Sequence, residues 1–430
     1  MLNLLNITRT QLARGISHKK LAVRYISSGD GRDLFHEHSL TKDQIDLKDL
    51  VHSFLRRELP NAVASQIDKD DNFPSFRELW KKLGSIGLHG ITAPKQYGGL
   101  ELGFLEHCLV MEVMSQYSGS IALSYGAHSN LNINQISLNG SDKQKETFLP
   151  KLIDGSYIGA LAMSEPNSGS DVTSMRTKAV KKGDYFVING AKFWITNGPL
   201  ADVVLVYAKT DEKGITAFLV EKDTPGFSVG KKLHKMGMRG SPTGELIFED
   251  CIVPETNIVG GLNQGVYVLM SGLDYERLVL AAGPLGIMQR ACELAYEYAH
   301  QRKQFGQPIG KFQLLQGMMA DMYTETMFCR TTLYTVARNL DAQLAQNKNH
   351  TTKGTSEFTA KCAAVILKLA EVGSTVADQA LQILGGNGYT EDYEASRLLR
   401  DARLYRIGAG TSEIRRWLIG REINKTYSAE

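Results

Sequence analysis

The spacing of apolar residues changes twice along this chain of 430 residues, and the order of these patterns restricts the fold more than any other feature. From Asp43 to about Ile158 apolar residues recur at helical intervals, as in FRELWKKLGSIGLHG. From Ser164 to Gly260 the pattern becomes that of strands, as in VVLVYAK and ITAFLVEK, and the helical pattern returns at Val266. Helices, then strands, then helices predict an α+β protein with separate layers. We therefore expect an N-terminal helical domain at residues 38–160, a middle antiparallel β-domain at 161–262 and a C-terminal helical bundle domain at 263–430.

A local signal within the middle region is Asn189-Gly190, which stands between the apolar runs YFVI and AKFWIT. Asn-Gly readily supplies the two positive-φ positions of a type I′ turn. The sequence therefore predicts a β-hairpin that reverses at this pair.

The first 29 residues differ from the rest of the chain in charge. They contain five basic residues and no Asp or Glu, with Ser, Leu and Ile interspersed. This composition is typical of an organelle transit peptide and predicts a mitochondrial matrix enzyme; a plain basic tail is the alternative. Without those five basic residues the formal charge of +3 becomes −2. The body of the protein therefore offers no basic surface for nucleic acid.

Cysteine spacing and hydropathy argue against further classes of protein. The five cysteines are an odd number, lie far apart and form no CxxC pair, which indicates a reducing compartment. No run of eighteen apolar residues occurs, so no membrane-spanning helix is expected. The sequence also lacks a Walker loop, HExxH, a complete GxSxG and a strand-linked GxGxxG. It therefore does not resemble nucleotide hydrolases, zincins, α/β-hydrolases or Rossmann proteins, and no metal is expected.

Two segments of the β-region have side chains that suit a flat, polar ring. LAMSEPNSGSDVTSMRTKA, residues 161–179, offers hydroxyls and backbone N–H groups, although an ordinary loop would look the same. FWITNG places Trp194 and Thr196 two residues apart on a strand, which predicts that they face the same side. An aromatic wall beside one hydroxyl suits a heteroaromatic ring, whereas a Trp packed in the core is the simpler alternative.

Two C-terminal segments suit a phosphate-containing ligand. In AHQRKQFGQPIGKFQ, Arg302 and Gln313 flank a turn rich in Gly and Pro, and the planar guanidinium can grip a pyrophosphate. In QILGGNGYT and the residues that follow, glycines permit close approach of the backbone to a ligand. Thr411, Ser412 and Glu413 follow a glycine and precede a helical pattern, which predicts a helix N-terminus and hence an anion site.

From about His38 to its end the chain resembles the acyl-CoA dehydrogenases, a family of flavoenzymes. AMSEPNSGSDV and the stretch from Gly385 to Glu413 are similar to the two family signatures. The resemblance implies a C-terminal four-helix bundle, FAD as cofactor and an acyl-CoA thioester as substrate. It also implies that a carboxylate takes the α-proton while the β-hydrogen leaves as hydride to the flavin, whose electrons pass to electron-transfer flavoprotein.

The resemblance also assigns residues of this chain to FAD. The flavin ring and ribityl chain would contact Leu161, Ala162, Met163, Ser164, Ser168, Gly169, Ser170, Trp194, Ile195 and Thr196. The ADP half would contact Arg302, Gln313, Gln382, Ile383, Leu384, Gly385 and Gly386, and the pyrophosphate would contact Thr411, Ser412 and Glu413. In this family the ADP half often binds at a neighbouring subunit. The resemblance therefore implies a homotetramer, arranged as a dimer of dimers.

The position of the catalytic base departs from the commonest family pattern. Many relatives carry a glutamate directly before the Gly-Thr of the last signature, where this chain has Ala409. Alanine cannot take a proton, so either the chain is inactive or the base lies elsewhere. A subset of the family places the base in an L-x-x-E-R-L segment, which this chain matches from Leu273 to Leu278 with Glu276. By resemblance, the backbone N–H of Ala409 still donates to the thioester carbonyl.

The residues around Glu276 support the same assignment. Gly272, Val279, Leu280 and Gly283 lie one or two helical turns away, which predicts a dry site with room for a ligand. Desolvation raises the pKa of a carboxyl group toward the value that a general base needs near neutral pH. The alternative is a surface glutamate within a charged trio. The alanine at the usual position favours the base.

Three segments resemble the branch of the family that acts on isovaleryl-CoA, namely LSYGAHSNL from Leu123, LDYERLVLAAGPLGIMQ from Leu273 and IGAGTSEIRR from Ile407. A substrate branched at C3 needs width near the reacting carbons, which Gly408 and Ala409 would supply, while Leu123 would exclude long chains. The predicted acyl-CoA contacts are Leu123, Ala127, Ser170, Tyr267, Asp274, Tyr275, Arg277, Gly408, Ala409 and Gly410. We expect dehydrogenation of isovaleryl-CoA in leucine catabolism. The alternatives are another short-, branched- or long-chain acyl-CoA dehydrogenase, an oxidase, or an inactive helical scaffold.

Overall fold

The computed structural model describes residue 35 and residues 39–211, 214–346 and 356–428. The predicted transit peptide, residues 1–29, lies outside the described residues.

The N-terminal region is mainly helical, as its apolar spacing predicts. Two of its helices begin at capping boxes, in which Thr41 accepts a hydrogen bond from the backbone of Gln44 and Ser141 from that of Gln144, both at 3.3 Å. The helices are α1 Lys42–Glu58, α2 Asn61–Asp70, α3 Phe76–Ser85, α4 Phe104–Tyr117, α5 Gly119–Gly126, α6 Gln135–Asn139 and α7 Asp142–Ile153. Between α5 and α6 the chain continues as a π-helical segment, Ala127–Asn134. Such wide turns are frequent at functional sites.

The middle region forms one sheet of eight strands. They are β1 Gly159–Ala162, β2 Lys178–Lys182, β3 Tyr185–Thr196, β4 Val203–Lys209, β5 Ile215–Glu221, β6 Phe227–Lys232, β7 Thr243–Pro254 and β8 Ile258–Val259. Their order is β6-β7-β3-β2-β4-β5-β8, with β1 also paired to β4. Most neighbours are antiparallel, as expected, but β1 and β2 run parallel to β4, so the sheet is mixed.

Strand β4 explains why the sheet is not fully antiparallel. Its side chains alternate between two apolar clusters, Val203, Leu205 and Tyr207 in one and Val204, Val206 and Ala208 in the other. A strand covered on both faces reads as a continuous apolar run and accommodates parallel neighbours. The run VVLVYAK predicts that both faces of β4 are buried, but it does not predict the direction of the neighbouring strands.

The hairpin predicted at Asn189-Gly190 is wrong. Strand β3 runs through this pair, and its register against β7 shifts between Ile188 and Gly190, which makes a β-bulge. The side chain of Asn189 accepts a hydrogen bond from the backbone of Asp250 at 2.8 Å and so fastens the bulge to β7. The chain instead reverses between Lys182 and Tyr185, which pair at the end of β2 and β3.

The C-terminal region contains the predicted helical bundle. Its elements are α8 Gly265–Gln301, the short strands β9 Lys303–Gln304 and β10 Gln307–Pro308, and the helices α9 Gln313–Gln346, α10 Ser356–Leu384, α11 Ala395–Leu404 and α12 Ser412–Tyr427. Helix α8 lies at the centre and packs against α4, α5, α9, α10 and α11. It is long and apolar enough to cross a membrane, but 89% of its most apolar window is buried inside the protein, as in the core helix of a bundle. All five cysteines are buried with free thiols.

Candidate active site

Glu276 lies in the N-terminal half of α8 and differs from its neighbours in exposure. Between Gly272 and Cys292 it is the one residue that is not buried, and its own exposure is intermediate. Within this covered stretch of α8, one residue that carries a carboxyl group is therefore partly exposed.

Its surroundings shift the titration of this carboxylate. Burial raises the pKa of Glu276 to about 7, and the nearby charges of Arg277 and Arg415 lower it by smaller amounts. The hydroxyl of Tyr207 on β4 has no hydrogen-bond partner among the described residues. Burial raises the pKa of Tyr207, and the charge of Glu276 raises it further. A carboxyl group that titrates near neutrality is suited to act as a general base.

The room that the sequence predicted beside Gly272 and Gly283 is absent, so this part of the prediction is wrong. A Cβ atom on Gly272 would lie 1.5 Å from the Nε2 atom of Gln135, and one on Gly283 would lie 2.1 Å from the hydroxyl of Tyr405. Both glycines allow close approach of a side chain, that of Gln135 on α6 and that of Tyr405 directly after α11. Space for a ligand has to come from other walls of the site.

One candidate for such a wall is the turn between α11 and α12. Ala409 and Gly410 have φ angles of 55° and 91°, in the left-handed region. A Cβ atom on Gly408 would have only the carbonyl oxygen of Leu404, at 3.9 Å, within 4 Å. The space that the sequence assigns to Gly408 is therefore present.

A second candidate wall lies in the N-terminal domain. Leu123 is the one residue between His107 and Asn130 that is not buried. Leu123 and Ala409 both pack, partly exposed, against the apolar cluster that contains Val279 and Leu280 of α8. Ala127, one turn after Leu123, is buried at the start of the π-helical segment. Leu123 and Ala409 therefore both border the large helical core to which Val279 and Leu280 belong.

The other predicted acyl-CoA contacts on α8 have different surroundings. Asp274 accepts hydrogen bonds from Arg277 at 2.7 Å and from Thr359 at 2.6 Å. Tyr275 is buried and stacks on Phe104, with ring centroids 4.7 Å apart. Tyr267 is exposed, and so is Ser170 on the polar loop. Of these residues, Tyr267 and Ser170 are open to a ligand, whereas Asp274, Tyr275 and Arg277 are engaged within the protein.

The two segments predicted to hold a flavin ring lie side by side. The backbone N–H of Phe193 donates to the carbonyl of Ser164 at 2.9 Å. The preceding residue, Lys192, is fully buried and donates to the carboxylate of Glu165 at 2.8 Å and to the carbonyl of Met163 at 3.0 Å. A buried ion pair thus ties the polar loop to β3.

Further contacts define the shape of this loop. Glu165 also accepts hydrogen bonds from the backbone N–H groups of Arg176 and Thr177, at 2.6 and 3.0 Å. Ser168 bonds within the loop to the carbonyl of Asp171, whereas Gly169 is exposed, with no atom within 4 Å of where its Cβ would be. Leu161, Met163 and Ser164 are partly exposed and Ala162 is buried. Hydrogen bonds to Glu165 therefore fix the base of the loop, whereas the loop is exposed at Gly169.

Trp194 departs from what a regular strand would give. It has a φ angle of 60° and lies in a second bulge, where the register shifts between Lys192 and Ile195. The alternation that would place it on the same side as Thr196 is interrupted there. Its side chain is 53% exposed, so the core interpretation is wrong. Ile195 is buried and Thr196 partly exposed.

The residues predicted to hold the ADP half lie mainly on the surface of the bundle. Arg302, Gln313, Gln382, Gly385 and Gly386 are exposed, and both glycines have open space where a Cβ would be. Ile383 and Leu384 have buried side chains, which leaves only their backbone for a ligand. The predicted helix N-terminus is confirmed, because Thr411 caps α12 and accepts from the backbone of Ile414 at 3.3 Å. Ser412 is buried and Glu413 exposed.

Sequence reasoning missed three buried charged residues that organise the site: Lys192, Glu165 and Arg415. Lys192 belongs to the run AKFWIT, where a charged residue inside a strand pattern requires a partner. Arg415 follows a helix N-terminus by one turn, where the helix dipole disfavours a positive charge. A charged residue inside a strand pattern and a cation near a helix N-terminus were thus the signals that could have identified Lys192 and Arg415.

Family models match most of the chain. They are the N-terminal domain of acyl-CoA dehydrogenase at residues 41–156, the middle domain at 160–251 and the C-terminal domain at 263–424. The chain is 58% identical over 394 residues to isovaleryl-CoA dehydrogenase, mitochondrial, of Bos taurus, covering 90% of this chain and 89% of that protein. It is 50% identical over 422 residues to 2-methylacyl-CoA dehydrogenase, mitochondrial, of Solanum tuberosum, covering 95% and 99%.

A solved structure agrees with these matches. Acyl-CoA dehydrogenase from Bacillus anthracis, complexed with FAD, superimposes with a TM-score of 0.86 at 33% identity, covering 92% of this chain and 69% of that one. Matches to all three domain models in their order, together with relatives at 58% and 50% identity, leave one conclusion. The chain belongs to the acyl-CoA dehydrogenase family.

Proposed function

We propose that this protein is an FAD-dependent dehydrogenase that converts isovaleryl-CoA to 3-methylcrotonyl-CoA in leucine catabolism, with Glu276 as the base. The observation that carries the proposal is Glu276, the one partly exposed residue between Gly272 and Cys292, whose pKa desolvation raises to about 7. Ala409 occupies the position where many relatives carry the base, and its side chain cannot take a proton.

The residues present fit FAD. Trp194 presents an exposed indole beside the partly exposed Ser164, and the open Gly169 and Ser170 lie on the same loop. The exposed Arg302, Gln313, Gly385 and Gly386 supply a cation, an amide and unobstructed backbone for the ADP half. When bound, the flavin would accept the β-hydrogen of the substrate as hydride.

Glu276 performs the proton transfer. Its carboxylate takes the α-proton of the thioester, and the electron pair of that C–H bond, with transient negative charge on the carbonyl oxygen, forms the Cα=Cβ double bond as the β-hydrogen leaves as hydride. A pKa near 7 leaves a substantial fraction ionised at neutral pH while the group stays basic enough to accept the proton.

The backbone of the α11–α12 turn would stabilise the developing charge. The N–H of Ala409 would donate to the thioester carbonyl oxygen, whose negative charge grows as the α-proton leaves. Because this donor belongs to the backbone, it persists although the residue at this position is not the base. The carboxylate and the donor therefore come from different elements, α8 and the turn after α11.

The walls of the site favour a short, branched acyl group. Gly408 has open space beside it, and Leu123 is the partly exposed residue of an otherwise buried segment and would lie on the other side of the acyl group. The branch at C3 would occupy the space at Gly408, and Leu123 would limit the length of the chain. The 2-methylacyl-CoA relative makes C2-branched substrates the second candidate, because the same width lies close to both carbons.

The location and partners follow from the family and from its relatives. Relatives are named as mitochondrial enzymes, and we infer that this protein is mitochondrial and works in the matrix. Electron-transfer flavoprotein would receive the electrons. The exposed cofactor residues on the bundle, with Phe305 at 92% exposure beside them, suit a homotetramer in which subunits share the FAD sites.

A substrate panel tests the proposal. The purified protein should be yellow, and isovaleryl-CoA should bleach the flavin absorbance and support reduction of electron-transfer flavoprotein with the highest kcat/KM. 2-Methylbutyryl-, isobutyryl-, butyryl-, octanoyl- and palmitoyl-CoA are the comparison substrates. A higher kcat/KM for 2-methylbutyryl-CoA would select the second candidate, and one for palmitoyl-CoA would refute the role of Leu123. Absence of bleaching by every substrate would indicate an inactive scaffold.

A further inference from the structure

Arg415 is a fully buried cation in the first turn of α12. Burial lowers the pKa of its guanidinium to about 10. Burial of a charge and its position near a helix N-terminus are both unfavourable, so contacts of the folded protein have to compensate for them.

Its hydrogen bonds go to the turn that precedes α12. Nη1 donates to the carbonyl of Tyr405 at 2.7 Å and Nη2 to the carbonyl of Gly408 at 2.5 Å. Tyr405 directly follows the end of α11, where helix carbonyls lack partners within the helix. One guanidinium thus spans the turn from its first residue to the residue before Ala409.

The turn that Arg415 spans has an unfavourable backbone conformation. Ala409 is in the left-handed region, which is unfavourable for a residue with a side chain. The backbone N–H of Ser412 donates to the carbonyl of Arg406 at 3.0 Å and closes the turn on its other side. Arg415 therefore helps to fix the direction in which the Ala409 N–H points.

We propose that Arg415 is a positioning residue for the dehydrogenation, which holds the Ala409 N–H toward the thioester carbonyl and places a positive charge beside Glu276. The inference rests on the proposed function and deepens it, because it names the residue that couples the two halves of the site. Arg415 touches neither reacting carbon and acts through Ala409 and Glu276.

The charges that face Glu276 support this role. Arg277 acts on it from α8 and Arg415 from α12, and the hydroxyl of Tyr207 faces it from β4. Arg277 has the larger of the two effects on Glu276 and is itself paired with Asp274 at 2.7 Å. The hydrogen bonds of Arg415 within the described residues go to carbonyl groups, so its charge is not neutralised by a bonded carboxylate. Loss of Arg415 should therefore raise the pKa of Glu276.

The experiment compares Arg415→Met and Arg415→Lys with the wild type, using the holoenzyme and isovaleryl-CoA. For Arg415→Met, the acid limb of the pH profile of kcat/KM should move to higher pH, because loss of a nearby positive charge favours the protonated form of the carboxyl group. Above that limb kcat should stay lower by on the order of 10- to 100-fold, because the oxyanion donor is misplaced. Arg415→Lys keeps the charge but not the planar fork, so its acid limb should stay in place while kcat falls.

Arg397→Met is the matched control. Arg397 is a buried arginine that also donates to a backbone carbonyl, that of Tyr117 at 3.2 Å, and it pairs with Glu394. Its loss should lower thermal stability without moving the acid limb. An unmoved acid limb in Arg415→Met, or an equal shift in Arg397→Met, would overturn the proposal. Wild-type bleaching with isovaleryl-CoA separates such a failure from a failure of the proposed function itself.

Discussion

Replacing Glu276 by glutamine should abolish activity and at the same time stabilise the fold at alkaline pH. The pKa of this carboxyl is raised from 4.5 to about 7 because the folded protein disfavours its charge. At about 1.4 kcal/mol per pKa unit, ionised Glu276 therefore costs the folded state about 3 kcal/mol. Glutamine has almost the same shape and carries no charge, so the variant avoids this cost.

The sign of the effect sets its dependence on pH. Between pH 4.5 and 7 the folded protein binds more protons at this site than the unfolded chain, so the contribution of Glu276 to stability falls as pH rises through this window. The variant should be more stable than the wild type by about 3 kcal/mol at pH 8.5 and by less than about 1 kcal/mol at pH 5. Stability is measured by denaturant unfolding at equal flavin content, and activity by reduction of electron-transfer flavoprotein.

Glu146 provides the matched control, because it is an exposed glutamate on α7. Glu146→Gln should leave the difference in unfolding free energy near zero at both pH values and should keep full activity. A Glu276→Gln variant whose stability relative to the wild type is the same at pH 5 and pH 8.5 would refute the argument that burial raises this pKa. Retention of more than a few per cent of activity would refute the assignment of the base.

Three further substitutions test the remaining parts of the site. Ala409→Glu in a Glu276→Gly background should restore part of the turnover and raise the ratio of kcat/KM for butyryl-CoA over that for isovaleryl-CoA. Rescue should be partial, because the larger side chain carries an overpacking cost of about 1–3 kcal/mol. An unchanged ratio with restored turnover would show that this position does not set the width of the acyl pocket. Arg302→Ala should reduce both the flavin absorbance per subunit and the mass measured by light scattering, and full flavin at unchanged mass would remove it from the cofactor site. Lys192→Met should destabilise the fold by about 3–5 kcal/mol and weaken FAD binding measured by titration, because it leaves the buried carboxylate partner unpaired. Lys181→Met, at an exposed ion pair, should change neither the stability nor the FAD affinity.

Local sequence patterns were sufficient to predict the order of the helical and β-regions along the chain. Helical and strand periodicities depend on which face of each element is buried, and the three-domain layout follows from where one period replaces the other. The N-terminus of α12 could also be predicted, because its signal lies in Thr411 and the glycine before it. The alanine at the usual position of the base, Ala409, pointed to Glu276 instead, and the exposure and pKa of Glu276 agree with a role as general base.

Other features depend on which segments meet in space, and only the tertiary structure decided them. Asn189-Gly190 suits a turn or a bulge equally well, and the continuous pairing of β3 with β7 selected the bulge. Gly272 is compatible with an empty cavity or with a close neighbour, and the approach of α6 with Gln135 filled the space. The local sequence around Arg415 indicates only an unfavourable charge near a helix N-terminus. The proposed role of Arg415 depends on carbonyl groups of the turn that precedes α12. A sequence records the preference of each residue for burial and conformation, whereas contacts between distant segments depend on how all the elements pack at once.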